Sequence, residues 1–373
     1  MSDAPRGIGV PALEAVLRQQ LANAPSPPLW RGLAESQLAR GALEEAEASF
    51  LQALALAPGE VDTRLGLIDL ALWQTGLAGW GRRTDEALAL HIPLPEAFHF
   101  LVRKACLLWI AHQIDPCARI LLLLSSGLQR EGAALAETLQ GYTMSMAGHL
   151  NGLVRAQANG RAARYSEERL SPLFLAGDSH CIAPAASLVT LGGEQCRVMP
   201  LYVLGCKAWH LANPVRNQYK ECAERLARAL PPGALLLFSA GDIDCRYQSG
   251  FFNLHRKTGA DLDGAIPETV TRYLDALQRL FPADRVRLLL LAPPAPRDDL
   301  QPLNEADRAL LPTISARFHQ ALMQGCAERD LPLVDYYALT VAADGWSNGL
   351  HHVDGHHLHA DVLRIAIEAA SIE

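Results

Sequence analysis

The chain has 373 residues, half of them hydrophobic and a fifth charged, with a formal net charge of −7. That length allows two domains and a sizeable core, and that composition excludes a disordered chain. An acidic balance with no Lys/Arg tract argues against nucleic acid or an anionic membrane as the main partner.

The opening MSDAPRGIGV has neither the basic flank nor the apolar stretch of a secretory signal, and windows such as LLLLSSGL are too short to span a bilayer. Cysteines 106, 117, 181, 196, 206, 222, 245 and 326 are scattered and form no C-x-x-C pair. Without a signal they read as reduced thiols of a cytoplasmic protein.

Between Trp30 and Pro58, Leu33, Ala34, Leu38, Ala46, Phe50 and Ala53 carry the spacing by which two helices interlock, with Gly41 at the turn and Pro58 as the stop. That pattern resembles a tetratricopeptide repeat, with Ala34 in place of its Gly and Leu38 in place of its Tyr. A lone repeat cannot bury its own apolar face, so the helical stretches that follow, to about residue 150, are expected to pack against it. Such a helical half either offers a concave surface to a protein partner or covers the second domain. The polar segment 151–172 contains the crossing, which gives a helical domain over 1–160 and a second domain over 161–373.

After Pro172 short apolar runs recur at LFLA (173), VMPLYVL (198), GALLLFSA (233), VRLLLLA (286) and LPLVDYY (331), with amphipathic helices between them. Near-continuous apolar strands alternating with helices imply a mainly parallel sheet covered on both faces. Such sheets do their chemistry beyond the carboxyl ends of the strands. The first run delivers Gly177, Asp178, Ser179 and His180; the second Gly205, Cys206 and Lys207; the third GDIDCR, Gly241 to Arg246. After the fifth comes GLHHVDGHHLHADV, with Asp354 three residues before His357.

A serine nucleophile needs a base, and the base needs a carboxylate to hold its tautomer. Ser179, His357 and Asp354 supply these roles. The α/β-hydrolases share this chain order but need G-x-S-x-G, and here Cys181 stands at the second glycine. Ser179 also follows the first strand of its domain, with no HGGG-type loop, so that reading fails.

GDSH after the first strand, a glycine after the second, G-x-x-D after the third and a terminal D-x-x-H together resemble the SGNH, or GDSL-type, hydrolases over residues 172–373. The resemblance implies a three-layer α/β/α sandwich of flavodoxin-like kind, with Ser179 as nucleophile, His357 as base and Asp354 orienting it. It implies an oxyanion hole from the Ser179 and Gly205 amides, and esters as substrates: acylated sugars, lipids, thioesters and small acetyl compounds. No cofactor is implied. The chain departs from the family at Ile243, where G-x-N-D would place an Asn side chain as a third oxyanion donor. Losing one such donor typically costs ~3 kcal/mol of transition-state stabilisation.

Arg246 either substitutes for that donor, grips an anionic substrate, or closes its loop by pairing with Asp242 or Asp244. Asp178 either assists at the site or bonds the backbone of its own loop. Trp209 and His210 line a pocket or begin a helix, Lys207 faces solvent, and APPAPRDDLQP reads as a stiff exposed loop bordering the cleft. His351, His352, His356, His357 and His359 crowd one stretch but lack a metal-site spacing, so no metal is expected. The leading expectation is an esterase acting on a small acyl ester; its rival is a catalytically degenerate binding module of the same fold.

Overall fold

The computed structural model describes residues 10–139, 141–161, 163–166, 168, 170–298, 303–370 and 372. The first half is helical: α1 (Val10–Asn23), α2 (Pro27–Ala39), α3 (Leu43–Leu56), α4 (Val61–Leu88), α5 (Leu94–Ile110), α6 (Ile114–Thr138) and α7 (Tyr142–Ala158). Leu33, Ala34 and Leu38 of α2 are buried, as are Ala46, Phe50 and Ala53 of α3, so the interlocking apolar spacing closes a helical hairpin at Gly41. Gly76 and Gly132 leave helical geometry inside α4 and α6 and kink them.

The second half is a six-stranded sheet in the order β2-β3-β1-β4-β5-β6. Its strands are β1 (Ser171–Gly177), β2 (Leu188–Leu191), β3 (Glu194–Tyr202), β4 (Ala234–Ser239), β5 (Val286–Ala292) and β6 (Leu333–Asp335). All neighbours pair in parallel except β2 with β3. Five strands coincide with the apolar runs. The sixth, β2, is too short to register as one, although Gly192–Gly193 between β2 and β3 is a hairpin signal.

The intervening helices are α8 (Ala208–Ala212), α9 (Gln218–Ala229), α10 (Asp242–Cys245), α11 (Gly250–Thr258), α12 (Leu262–Leu280), α13 (Glu305–Ala327), α14 (Tyr336–Thr340) and α15 (Val362–Ala370). Alternate residues of each central strand serve opposite faces. Leu236, Phe238, Leu288 and Leu290 join a core with residues of α9, α12 and α13. Leu237, Leu289, Leu291, Leu173 and Leu175 join the other core, with α15 and α4–α7. The helical half therefore forms part of the second covering layer. Its hairpin residues Ala34, Leu38, Leu43 and Phe50 share the first core with Tyr219 and Cys222 of α9. Of the two roles read for the helices, covering the sheet is the one observed.

All eight cysteines are buried and unbonded. Among the described residues no helix is long and apolar enough to cross a membrane.

Gly177 ends β1 at φ 133°, and an added Cβ would lie 1.8 Å from the Ser239 carbonyl oxygen of β4. Backbone occupies that space, so nothing flexible can give way. Gly177→Ala is expected to destabilise the protein by at least about 2 kcal/mol in urea unfolding. Gly193→Ala, at φ 80° with nothing within 4 Å, should cost less than half as much. Equal losses would show that backbone angle, not the close approach of β4, governs the turn.

Candidate active site

Three loops at the carboxyl ends of β1, β3 and β4, with a fourth after α14, build the site. Past Gly177 the chain makes a short 3₁₀ turn, Ser179–Cys181. Asp178 fastens it: its Oδ1 accepts from the His180 amide at 3.1 Å and from the Ser239 hydroxyl at 3.1 Å. The Val203 amide donates to the Gly177 carbonyl at 2.7 Å, tying the β3 loop to the β1 loop. The fourth loop folds on itself, with the Val353 amide donating to the His357 carbonyl at 2.9 Å and the His359 amide to the His351 carbonyl at 3.0 Å.

This brings Ser179, His357 and Asp354 into one hydrogen-bonded chain. Ser179 Oγ lies 2.7 Å from His357 Nε2, and His357 Nδ1 lies 2.7 Å from Asp354 Oδ2. Asp354 Oδ1 also accepts from the His356 and His357 amides at 2.7 and 2.8 Å. Burial pushes the Asp354 carboxyl up, but the His357 bond and the amides outweigh it and hold the group far below the usual carboxylate range. An ionised carboxylate only accepts, so His357 Nδ1 carries the proton and Nε2 is left to accept from the serine hydroxyl. Burial lowers His357 from its ordinary value of 6.5, against the opposing pull of Asp354. Ser179 is half-buried and reachable, while His357 is 3% exposed. Among the described residues neither the Ser179 nor the Gly205 amide donates to a protein acceptor.

Arg246 Nε donates to Asp242 Oδ2 at 2.6 Å, so of the roles read for Arg246 the pairing with Asp242 is the one observed. His180 Nε2 stands 3.5 Å from the same carboxylate oxygen. Burial opposes the Asp242 charge, yet Arg246 and His180 hold its carboxyl well below the usual range. Asp244 points elsewhere. It caps α8, accepting from the Ala208 and Trp209 amides at 2.8 and 3.2 Å, and burial pushes its carboxyl up to about 7. Trp209 and His210 lie in α8, and Lys207 precedes it, half-buried. Ile243 is half-buried in α10 and has no donor to offer.

A cleft of about 330 Å³ opens beside the triad, lined among others by Asp242, Arg246, Tyr247, Pro294, Arg297 and His356. The proline loop borders it as expected. Its first residues are not exposed, however: Pro293, Pro294 and Ala295 are buried, and the Ala295 amide donates to Thr340 Oγ1 at 2.9 Å. Residues 299–302 of that loop lie outside the described residues.

Two histidines stand against His357: His180, which the sequence placed on the rim without a role, and His149, which sequence reasoning passed over. The His180 ring is tilted 46° at 5.2 Å. His149 of α7 stacks on it face to face, with ring centroids 3.8 Å apart and planes 9° apart. His149 is 0% exposed and both its ring nitrogens lack a partner among the described residues. Each unsatisfied buried group typically costs about 1–3 kcal/mol, so the placement calls for a reason. Ligand atoms of His149, His357 and Asp354 lie within 4.8 Å of one another. Imidazole lone pairs lie in the ring plane, and planes this nearly parallel do not aim two of them at one ion. Of the remaining histidines, His352 Nδ1 meets Ser347 Oγ at 3.0 Å, and His351 Nδ1 meets His359 Nε2 at 3.2 Å.

No family model matches the chain, and no curated protein matches it.

Burial lowers His149 far below its ordinary value, His210 and His352 to about 3, and His356 to about 4. The unfolded chain binds protons at these groups below pH ~6.5 and the folded chain does not, so stability is present above that pH and is lost as pH falls. His180, Asp178 and Asp244, all raised, act in the opposite sense but are fewer. The melting temperature is expected to fall steadily between about pH 7 and 5, each neutral buried histidine contributing up to about 1.4 kcal/mol per pH unit. A flat or rising profile in calorimetry would contradict the neutral assignment.

Proposed function

We propose that the chain is an SGNH-like serine hydrolase of carboxylic esters, with Ser179 as nucleophile, His357 as base and Asp354 orienting the base. The observation that carries this reading is the continuous chain of two 2.7 Å hydrogen bonds from Ser179 Oγ through His357 to Asp354. A lone serine hydroxyl is a weak nucleophile; a neutral imidazole at its oxygen makes it a usable one.

Ser179 Oγ attacks the ester carbonyl carbon as its proton passes to His357 Nε2. The Ser179 and Gly205 amides bind the oxyanion that forms. The tetrahedral intermediate collapses, the carbon–oxygen bond to the alcohol breaks, and the leaving oxygen takes the proton from Nε2. Water, deprotonated by the same nitrogen, then attacks the acyl-serine; the bond from the acyl carbon to Ser179 Oγ breaks, Oγ recovers the proton from Nε2, and the acid is released. If an acceptor alcohol replaces water, the same steps transfer the acyl group. A small O-acylated compound, including an O-acetylated carbohydrate, is the substrate class the family resemblance favours.

A second reading is favoured by Ile243, which removes the side-chain oxyanion donor: the fold would then be a degenerate binding module, with the helical half as a protein-interaction element. The hydrolase reading needs only the two amides.

Hydrolysis of p-nitrophenyl acetate decides between them. Ser179→Ala and His357→Ala are each expected to lower kcat/KM by roughly a thousandfold or more, and Asp354→Asn by at least about a hundredfold, with circular dichroism unchanged. A wild-type protein no faster than Ser179→Ala across acetyl to octanoyl esters would sink the esterase and leave the binding module.

A further inference from the structure

We propose that His149 is a positioning residue of this centre, its ring holding the plane of His357 so that one imidazole keeps its bonds to both Ser179 and Asp354. The helical half thereby becomes part of the active site rather than a cover for it. The kinetic consequence rests on the hydrolase reading, while the geometric claim concerns His357 alone.

An imidazole hydrogen-bonded at both nitrogens can still tip about the line joining them. What stops it is material on its faces. His149 supplies one face, at 3.8 Å and within 9° of parallel. A second contact comes from the same side of α7, because Gly152 is three residues further on and three-residue spacing shares a helix face. An added Cβ on Gly152 would lie 2.4 Å from the Val353 carbonyl oxygen, so the backbone of the triad loop rests directly on this helix. Arg161, just past α7, donates to the Leu350 carbonyl at 3.0 Å and holds the start of the same loop. The helical half also holds the other catalytic loop: Trp109 Nε1 of α5 donates to the Ile182 carbonyl at 3.1 Å, three residues after Ser179. Both halves of the triad are thus seated on helices from the first 161 residues.

His149 stays neutral there. Burial opposes its charge most, followed by His357; His180 and Arg246 add to that, with Asp354 opposing them. His357 is faced by Asp354 and His356 on its own loop, His180 on the β1 loop, Arg246 just past α10 and His149 on α7, while Asp242 of α10 acts on the neighbouring His356. A neutral ring over the base excludes water from that face without adding a competing charge. Removing the ring takes away part of the burial that lowers His357.

The test uses the full chain and two readouts: steady-state hydrolysis of p-nitrophenyl acetate against pH, and the His357 titration by NMR of histidine-labelled protein, its signal assigned by its loss in His357→Gln. His149→Ala is expected to lower kcat at least about tenfold with KM little changed, and to move the His357 titration and the acidic limb of kcat/KM up toward 6.5. His149→Phe keeps a flat ring on the face and should stay within about threefold of wild-type kcat, with the His357 titration unmoved. A merely structural role would scale activity with the folded fraction and leave both pH readouts in place. If His149→Ala does not fold, Gly152→Ala, which lifts the loop from α7, should reproduce its pH shift.

The proposal is overturned if His149→Ala, or Gly152→Ala in its stead, leaves kcat and the His357 titration as in wild type. It is also overturned if His149→Phe loses as much as His149→Ala, since the ring plane would then not be what matters. Should the wild type hydrolyse no ester, the hydrolase reading fails, and the NMR titration still decides whether His149 governs His357.

Discussion

One imidazole ring, His357, is the point on which the site depends. Its two nitrogens are spoken for at 2.7 Å each, by Ser179 from the end of β1 and by Asp354 from its own loop. Meeting both demands requires a loop that comes from after α14, about 180 residues downstream of the serine, to arrive in one orientation. Local structure supplies half of that. Asp354 is three residues before His357 and accepts from two amides of the same turn, so carboxylate and base are set together. The other half is tertiary: the loop lies against α7, and the serine turn is pinned by Asp178 to β4 and by its Ile182 carbonyl to Trp109.

The surrounding charges are arranged so that the His357 ring stays neutral while Asp354 and Asp242 stay ionised. Burial is the largest influence on nearly every group in the cluster, and it works against charge of either sign. Asp354 and Asp242 escape it through close donors and cations, whereas His149, His352 and His356 have no partner strong enough and remain uncharged. The Asp242–Arg246 pair is spent on this arrangement as well as on the cleft wall. The two charges are paired with each other in the cleft wall, and Ile243 between them has no donor to offer.

What could be read from the chain follows chemical locality. Ser179, Gly205 and Asp242 each stand directly after an apolar strand, and a parallel sheet places such positions on one rim. The helical hairpin at 27–56 was legible because interlocking helices impose a spacing on their small and large residues. Asp178 reads correctly as a loop fastener. Asp244 does not read as a helix cap, because α8, which it caps, begins 36 residues earlier in the chain. His149 was invisible for a related reason: within TMSMAGHL it is one more residue on an apolar helix, and only the packing of α7 under a loop two hundred residues away gives it a function. Strand β2 was missed through brevity. That the helical half covers the sheet was one of two roles the sequence left open, since nothing in a helix pattern says which surface α4–α7 will cover.

The most direct measurement is covalent labelling of the native protein with a fluorophosphonate ester, followed by peptide mapping by mass spectrometry. Such a reagent reacts fast with a serine whose proton is taken up as it attacks, and slowly with an unactivated hydroxyl. The account predicts one adduct per chain, on Ser179, lost in His357→Ala while folding is retained. An unlabelled protein, an adduct on another serine, or labelling of Ser179 that persists without His357 would contradict it.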